Sequence, residues 1–277
     1  MDRNPNEKVE DETEKLLEQL IDKHLSLMHW RKDWKSWRWR RINQERDHKK
    51  RIFNLETLLG DHLDEFRILE VGCGMGGFLV ALILERDVSI IGVDLEKDYL
   101  KITKLRGKRY GLRLDIIQAV GENLPLRDGY FDLVVMFDVL EHVQNPFKVL
   151  YEVSRVMKVN GKCYFNAVSR FILKDPHYHL YFINLLPRKL AELYIRLRGR
   201  VKYDQHGGYQ SLSKLHYFTL NSLIKITNKC HLKVLKVTGD RAPKIIRPLI
   251  NLALHFYPGY FNLLAEKAQK IYERESL

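Results

Sequence analysis

The sequence predicts an α/β chain built on a parallel sheet with helices covering both of its faces. From residue 68 onward, short apolar runs rich in β-branched residues alternate with stretches of helical periodicity, the rhythm of repeated strand–helix–strand units. At the head of that rhythm, residues 68–78 read Ile-Leu-Glu-Val-Gly-Cys-Gly-Met-Gly-Gly-Phe, an apolar strand passing through a glycine turn into an apolar helix. A third observation sets the limits: helical patterning precedes residue 68, and the alternation breaks over residues 169–216.

Each element has its own warrant. Over residues 7–30, Leu16, Leu17, Leu20, Ile21, Leu25 and Met28 share one side of an amphipathic helix, and Trp30, Trp34 and Trp37 continue the spacing, so the helix runs on or restarts near Trp30. Residues 51–63 predict a second, short helix. The first strand is 68–71, apolar enough for a strand covered on both faces, and an apolar helix starts at Phe78. Residues 88–93, ending at Asp94, form the second strand, and 98–108 a basic helix closed by Tyr110-Gly111. Strands follow at 114–119 and 131–136, then a crossover helix at 146–157 and a fifth strand at 162–168, with Asn160-Gly161 as the turn before it. Within 169–216, Leu186, Leu190, Leu193, Tyr194 and Leu197 lie on one face of an amphipathic helix, with Arg188, Arg196 and Arg200 elsewhere. A helix at 220–228, a sixth strand at 232–237 and a final hairpin strand at 261–266 complete the order. The apolar stretch 245–257 predicts a helix lying on the domain or on a membrane surface.

Composition narrows the classes. A chain of 277 residues with 45% hydrophobic and 30% charged residues is an ordinary globular protein of one or two domains, not a disordered one. No apolar run approaches the roughly 20 residues a bilayer span requires, and residues 1–14 are acidic and polar, unlike a signal peptide, so a cytoplasmic location is expected. Cys73, Cys163 and Cys230 lack ligand spacing; neither a disulfide framework nor a metal site is expected. The net charge of +12 favours nucleic acid, anionic membrane or acidic substrates as partners. It concentrates in residues 30–51, with ten Lys or Arg against three acids and four interleaved Trp, and in 169–216, with nine against three.

Gly72, Gly74, Gly76 and Gly77 exceed what a plain connection needs and indicate backbone that approaches a ligand. Gly72-x-Gly74-x-x-Gly77, with Asp94 at about the 20-residue offset of a ribose-binding acid, satisfies the dinucleotide fingerprint, so a nicotinamide-dependent oxidoreductase is one reading. Further motifs favour another: Glu122-Asn123-Leu124-Pro125-Leu126, then Gly129-Tyr130-Phe131-Asp132-Leu133-Val134-Val135, then Asp138-Val139-Leu140-Glu141-His142-Val143. In order and spacing these resemble the class I S-adenosylmethionine-dependent methyltransferases, in their small-molecule, type 11-like branch, over roughly residues 66–168.

That resemblance implies a Rossmann-like, doubly wound, seven-stranded and mostly parallel sheet with a C-terminal antiparallel hairpin strand. The chain divides as an N-terminal helical extension (1–65), a cofactor-binding core (66–168), a helical cap insertion bearing on substrate (169–216) and the C-terminal part of the methyltransferase domain (217–277). It implies methyl transfer from S-adenosyl-L-methionine to a small-molecule acceptor at oxygen, with lipid-like, quinone-precursor and glycan acceptors all compatible. Gly72, Cys73, Gly74 and Gly76 would then approach the methionine portion, Glu70 would organise the loop, Asp94 would receive the ribose hydroxyls, and Leu95 would pack on adenine. Gly121, Glu122 and Asn123 would meet the adenine edge; Val120 stands where many relatives carry an acid, which shifts that task to backbone or to the Glu122 side chain. Phe137 and Asp138 would face the methionine end and the substrate mouth. His142 is the candidate base for a hydroxyl acceptor, with His177 and His179 of the cap as alternatives; orienting its loop is the plainer role for His142. RNA modification is a competing class motivated by the basic Trp/Arg segment, but no RNA-binding module accompanies it. The same basic and apolar segments suit peripheral contact with an anionic membrane.

Overall fold

The computed structural model describes residues 5–26, 33–60, 63–203, 208–240 and 259–268. Among the described residues four α-helices precede the sheet: α1 (Pro5–Leu25), α2 (Trp34–Ile42), α3 (Gln44–Asp47) and α4 (Lys49–Leu59). The core then alternates β1 (Arg67–Val71), α5 (Gly77–Glu85), β2 (Ser89–Asp94), α6 (Lys97–Arg109), β3 (Asp115–Gln118), β4 (Phe131–Met136), α7 (Pro146–Val156) and β5 (Met157–Val168). After the cap, with α8 (Arg188–Leu197), come α9 (Leu220–Lys229), β6 (Leu232–Asp240) and β7 (Tyr260–Lys267).

The seven strands form one sheet in the order β3-β2-β1-β4-β5-β7-β6. Strands β1 to β5 pair in parallel, and β7 runs antiparallel to both β5 and β6. The order reverses between β1 and β4, so a crevice opens beyond the carboxyl ends of these two strands. Alternate residues of the same strand serve opposite layers: Leu69 and Val134 pack with Leu150, Val153 and Leu223, whereas Ile68, Leu133 and Val135 pack with Phe78, Leu79 and Leu82. This two-sided burial is why the strands read as unbroken apolar runs.

The N-terminal helices are fastened to the core by packing and by one buried cation. Leu17, Ile21, Leu25, Trp37 and Ile42 cluster with Met75 of the glycine loop and Ile102 of α6. Arg106, fully buried, donates to the carbonyls of Met75, Ile42 and Arg41 and pairs with Glu45. Arg109 adds bonds to Glu14 and to Ile42 O.

Several expectations change. Asn160-Gly161 lies inside β5: Phe131 pairs with Met157 and Leu133 with Lys162, so the surplus residues of β5 form a bulge, with Asn160 at φ 64°. Trp37 is core, 8% exposed, and is thus withdrawn from any contact with lipid or RNA. On α8 the expected buried face is the outer one: Ala191 and Ile195 are buried while Leu190 (54%), Leu193 (54%) and Leu197 (75%) face outward. The cap's own cluster of Ile172, Tyr178, Leu180, Ile183 and Leu215 closes around the smaller stripe, leaving the leucines no partner layer among the described residues. Trp30 and the apolar stretch 245–257 lie outside the described residues. No helix among the described residues is long and apolar enough to cross a membrane.

Candidate active site

The crevice is built first by the glycine loop. The amides of Gly72 and Cys73 both donate to Val93 O, at 2.7 and 3.0 Å, which swings the loop from β1 over the end of β2. Gly72 has φ +73°, and a Cβ there would stand 2.4 Å from the Val139 side chain, so the loop after β4 can close on it only if this residue is glycine. Gly74 has φ +54° and open space where a Cβ would project, leaving bare backbone facing the crevice. Gly76 leads into α5, and Cys73 is buried. Asp94 ends β2 and accepts from Gly74 N and Glu96 N, each at 2.8 Å. Burial raises its carboxyl above the usual range while these amides oppose the shift. Leu95 beside it is 55% exposed. Glu70 is buried with one carboxylate oxygen unpartnered among the described residues, and burial holds it well above the ordinary carboxylate range, opposed by nearby Arg51. Open backbone, a carboxylate at a strand end, an exposed leucine and an unpaired buried acid fit a ligand with an aminoacyl group, a ribose and a base.

The opposite wall comes from β4. Phe137 packs between Phe78 and Tyr164, with the Arg51 guanidinium 4.5 Å above its ring. Asp138 takes the left-handed conformation, φ 58°, a strained choice for a non-glycine residue that depends on its surroundings. Those are Asn166, which accepts from Asp138 N at 2.6 Å and donates to Oδ1 at 2.7 Å, and Arg51, which donates to Oδ2 at 2.9 Å. Glu122 corrects one expectation: its Oε1 accepts the amides of Gln144 and Asn145 at 2.8 and 3.1 Å. Its side chain thus ties two loops together.

The cap then meets the turn after β4. Ser169 and Phe218 bridge to each other, so the insertion leaves and re-enters at one place, and His216 N bonds to Glu141 O at 3.0 Å. Across that junction His142 Nε2 lies 3.0 Å from His177 Nε2, and His177 Nδ1 lies 2.9 Å from Tyr217 Oη. Tyr217 donates to Asp175 Oδ2 at 2.7 Å. Asp175 is buried and also accepts from the amides of His177 and Tyr178 and from Asn184. An acceptor-only carboxylate at one end orients the series: Tyr217 gives its proton to Asp175, His177 gives Nδ1–H to Tyr217, and His177 Nε2 is left as a lone pair facing His142. Burial, then His142, Lys202 and His179, hold His177 well below the ordinary imidazole range. Crowding by the protein and the Lys202 ammonium also lower His142, although the residue as a whole is exposed. Both rings are neutral near pH 7. Beside them Glu141 is buried with Oε2 unpartnered among the described residues, its carboxyl raised by burial and by Asp138. His179 closes the turn from Asp175 in the left-handed conformation and stands outside the convergent group of Glu141, His142 and His177.

Arg51, Glu141, Asp175 and Tyr217 are thus site residues that sequence reasoning does not single out. Glu141 and Asp175 sit in stretches that draw notice for their histidines; nothing local marks Arg51 or Tyr217.

A family model described as a methyltransferase domain matches residues 69–165. The ubiquinone biosynthesis O-methyltransferase of Nitrosomonas europaea is 32% identical over 150 residues, covering 51% of this chain and 61% of that protein. The protein of the same name from Nitrosococcus oceani is 30% identical over 172 residues, covering 58% of this chain and 71% of its own length. A crystal structure of an S-adenosylmethionine-dependent methyltransferase from Methanosarcina mazei shares the fold with a TM-score of 0.53 at 19% identity, over 75% of this chain and 94% of the other. So does phosphoethanolamine N-methyltransferase 2 of Haemonchus contortus, solved with S-adenosyl-L-methionine, with a TM-score of 0.55 at 14% identity over 80% and 53%. The family model takes in the glycine loop, Asp94 and the turn after β4, and stops short of His177 and Tyr217. These matches decide between the two cofactor readings of the glycine turn: the chain belongs to the class I S-adenosylmethionine-dependent methyltransferases and is an enzyme using that cofactor.

Proposed function

We propose that this enzyme methylates a hydroxyl oxygen on a small, largely apolar acceptor of the quinone-precursor kind, presented at an anionic membrane surface. The observation that carries the reading is the neutral His142–His177 pair at the junction of core and cap, beside Asp138. A hydroxyl must shed its proton to attack, and a cluster of neutral imidazoles favours that loss. The cofactor supplies a methyl already activated on a sulfonium, so the protein's task is to hold the acceptor oxygen in line behind it. In this reading Gly72 to Gly76 and Glu70 meet the aminoacyl end, Asp94 the ribose, and Leu95 with residues 121–123 the base. Arg51, stacked on Phe137 at the methionine end, pairs with the cofactor's carboxylate. The names of the two bacterial relatives support oxygen as the target and a ring-bearing acceptor.

Membrane presentation is supported by the outer face of α8, where Leu190, Leu193 and Leu197 are exposed on a helix that also carries Arg188, Lys189 and Arg196. Leucines inserted among headgroups with flanking cations suit reversible binding to anionic lipid. The RNA alternative loses much of its motive with Trp37 buried. A panel of acceptors with labelled methyl donor tests the proposal: ring hydroxyls with and without an isoprenoid tail, matched amines, and RNA. Label on a ring hydroxyl, faster with the tail, is expected; label only on the amine or on RNA would overturn it.

A further inference from the structure

We infer that Thr103 and Arg106 of α6 are positioning residues for the cofactor's aminoacyl end, and that Arg106 makes the N-terminal helices part of the cofactor site. The inference rests on the assignment of residues 72–76 to that end of S-adenosylmethionine. Both side chains are fully buried. The Thr103 hydroxyl stands 2.9 Å from Gly74 O and 3.0 Å from Tyr99 O, and Arg106 Nε donates to Met75 O at 2.9 Å. Successive carbonyls of the glycine loop are thus held by a single helix.

A trans peptide unit points its carbonyl and its N–H in opposite directions. With Gly74 O turned to Thr103, the Met75 N–H is turned away from that hydroxyl, and it has no acceptor among the described residues. The other amides of the loop are spent: Gly72 and Cys73 donate to Val93 O, Gly74 to Asp94 and Gly76 to Cys73 O. Met75 N–H is therefore the donor the loop keeps in reserve, and the carboxylate of the aminoacyl end is the charged acceptor it suits.

The glycines show how closely the loop is walled. A Cβ at Gly76 would stand 2.5 Å from Thr103 Cγ2, and one at Gly77 would stand 2.5 Å from the Gln44 side chain and 2.9 Å from His48 Nε2. These two glycines admit α6 and the N-terminal helices against the loop, whereas the same space at Gly74 is open. Arg106 joins the two walls. Besides Met75 O it holds Arg41 O and Ile42 O and pairs with Glu45. A guanidinium carries its donors in a rigid plane, so a shift of α2 or α3 would disturb the bond to Met75 as well. By linkage, a cofactor that selects this loop shape must strengthen the docking of α2 and α3 in return.

The test is calorimetry on the full-length chain with S-adenosylhomocysteine and with 5′-methylthioadenosine, which lacks the aminoacyl end. Loosening of the fold weakens both ligands; loss of positioning weakens only the first. Thr103→Val is expected to weaken S-adenosylhomocysteine about three- to tenfold, the scale of one hydrogen bond, and to leave 5′-methylthioadenosine within about twofold. Thr103→Ser should restore the parent ratio of the two Kd values. Thr227→Val removes a comparable intrahelical bond, to Leu223 O in α9, and should not change that ratio. Arg106→Lys, which keeps the charge and loses the fork, should narrow the ratio about tenfold. In the parent chain, S-adenosylhomocysteine should slow amide exchange over residues 41–45 more than 5′-methylthioadenosine does. Equal loss of both ligands in Thr103→Val, no loss of either, or a ratio that serine fails to restore overturns the positioning role. Exchange over residues 41–45 that ignores S-adenosylhomocysteine overturns the coupling to the N-terminal helices. A parent chain that binds both ligands equally overturns the loop assignment and this inference with it, whereas discrimination that survives Thr103→Val overturns this inference alone.

Discussion

Asp94 and Gly74 share a hydrogen bond, so the residue proposed to meet the ribose also sets the loop proposed to meet the aminoacyl end. Asp94→Ala is therefore expected to weaken S-adenosylmethionine by about ten- to a hundredfold in calorimetry, on the order of 1.4–2.7 kcal/mol, with little change in overall fold. Arg51→Met should weaken the cofactor as well, and more than it weakens the methyl-free fragment 5′-methylthioadenosine, which lacks the carboxylate; equal loss for both would remove Arg51 from that role. Both Asp94 and the glycines are legible in the sequence because their chemistry is local, a strand end and a turn within one strand–helix–strand unit. Tyr217 and Asp175 are not, since 42 positions separate them and only the closing of the cap makes them neighbours.

Among the elements, α3 and α6 are joined by a charge pair with no access to water, Arg106 with Glu45. Removing one partner strands the other, so Glu45→Ala should lower unfolding free energy in denaturant by about 3–5 kcal/mol; a loss under about 1 kcal/mol would show that the ladder of backbone carbonyls around Arg106 suffices alone. Helix α8 gives the opposite expectation. Leu190→Ser with Leu193→Ser should leave the thermal midpoint within error, because those side chains are outside, and should reduce sedimentation with anionic vesicles. Loss of thermal stability would instead place them in packing. The amphipathic pattern of α8 is legible, yet periodicity reports only that two faces differ, and the narrow Ala191–Ile195 stripe wins the interior because the cap's tyrosines and isoleucines fill most of it. Asn160-Gly161 carries the chemistry of a turn and here spends it on a bulge, a choice made by the pairing of β4 with β5.

Across the whole molecule, acid sensitivity should follow the depressed histidines, His142 and His177 where core meets cap and His48 and His24 in the N-terminal helices. Burial lowers His48 to about 3 and His24 to about 4, helped in both cases by Arg41. Their unfolded values lie near 6.5, so below that pH the unfolded chain binds the extra protons and stability falls. The contribution is complete above about pH 6.5 and is lost progressively toward pH 4 to 3. His48→Asn should flatten the decline in denaturant midpoint between pH 6.5 and 5; an unchanged slope would assign it to groups other than His48. The alternation of strands and helices made the parallel core legible as a whole, since that rhythm admits few sheet orders. The N-terminal packing was less so, because Trp37 reads equally as a surface aromatic until α1 is beside it.

The sheet has one more consequence, for biosynthesis. Strand β7 is made after β6 yet lies between it and β5. While residues 260–267 are still inside the ribosome, β5 is a bare edge and β6 has no neighbour to join. Nascent chains halted before that point would carry an open, apolar strand border of the kind that recruits other chains. Closure of the sheet is thus a step that waits for Lys267 to emerge, and a chaperone that shields the β5 edge until then would be guarding the most vulnerable interval in the life of this protein.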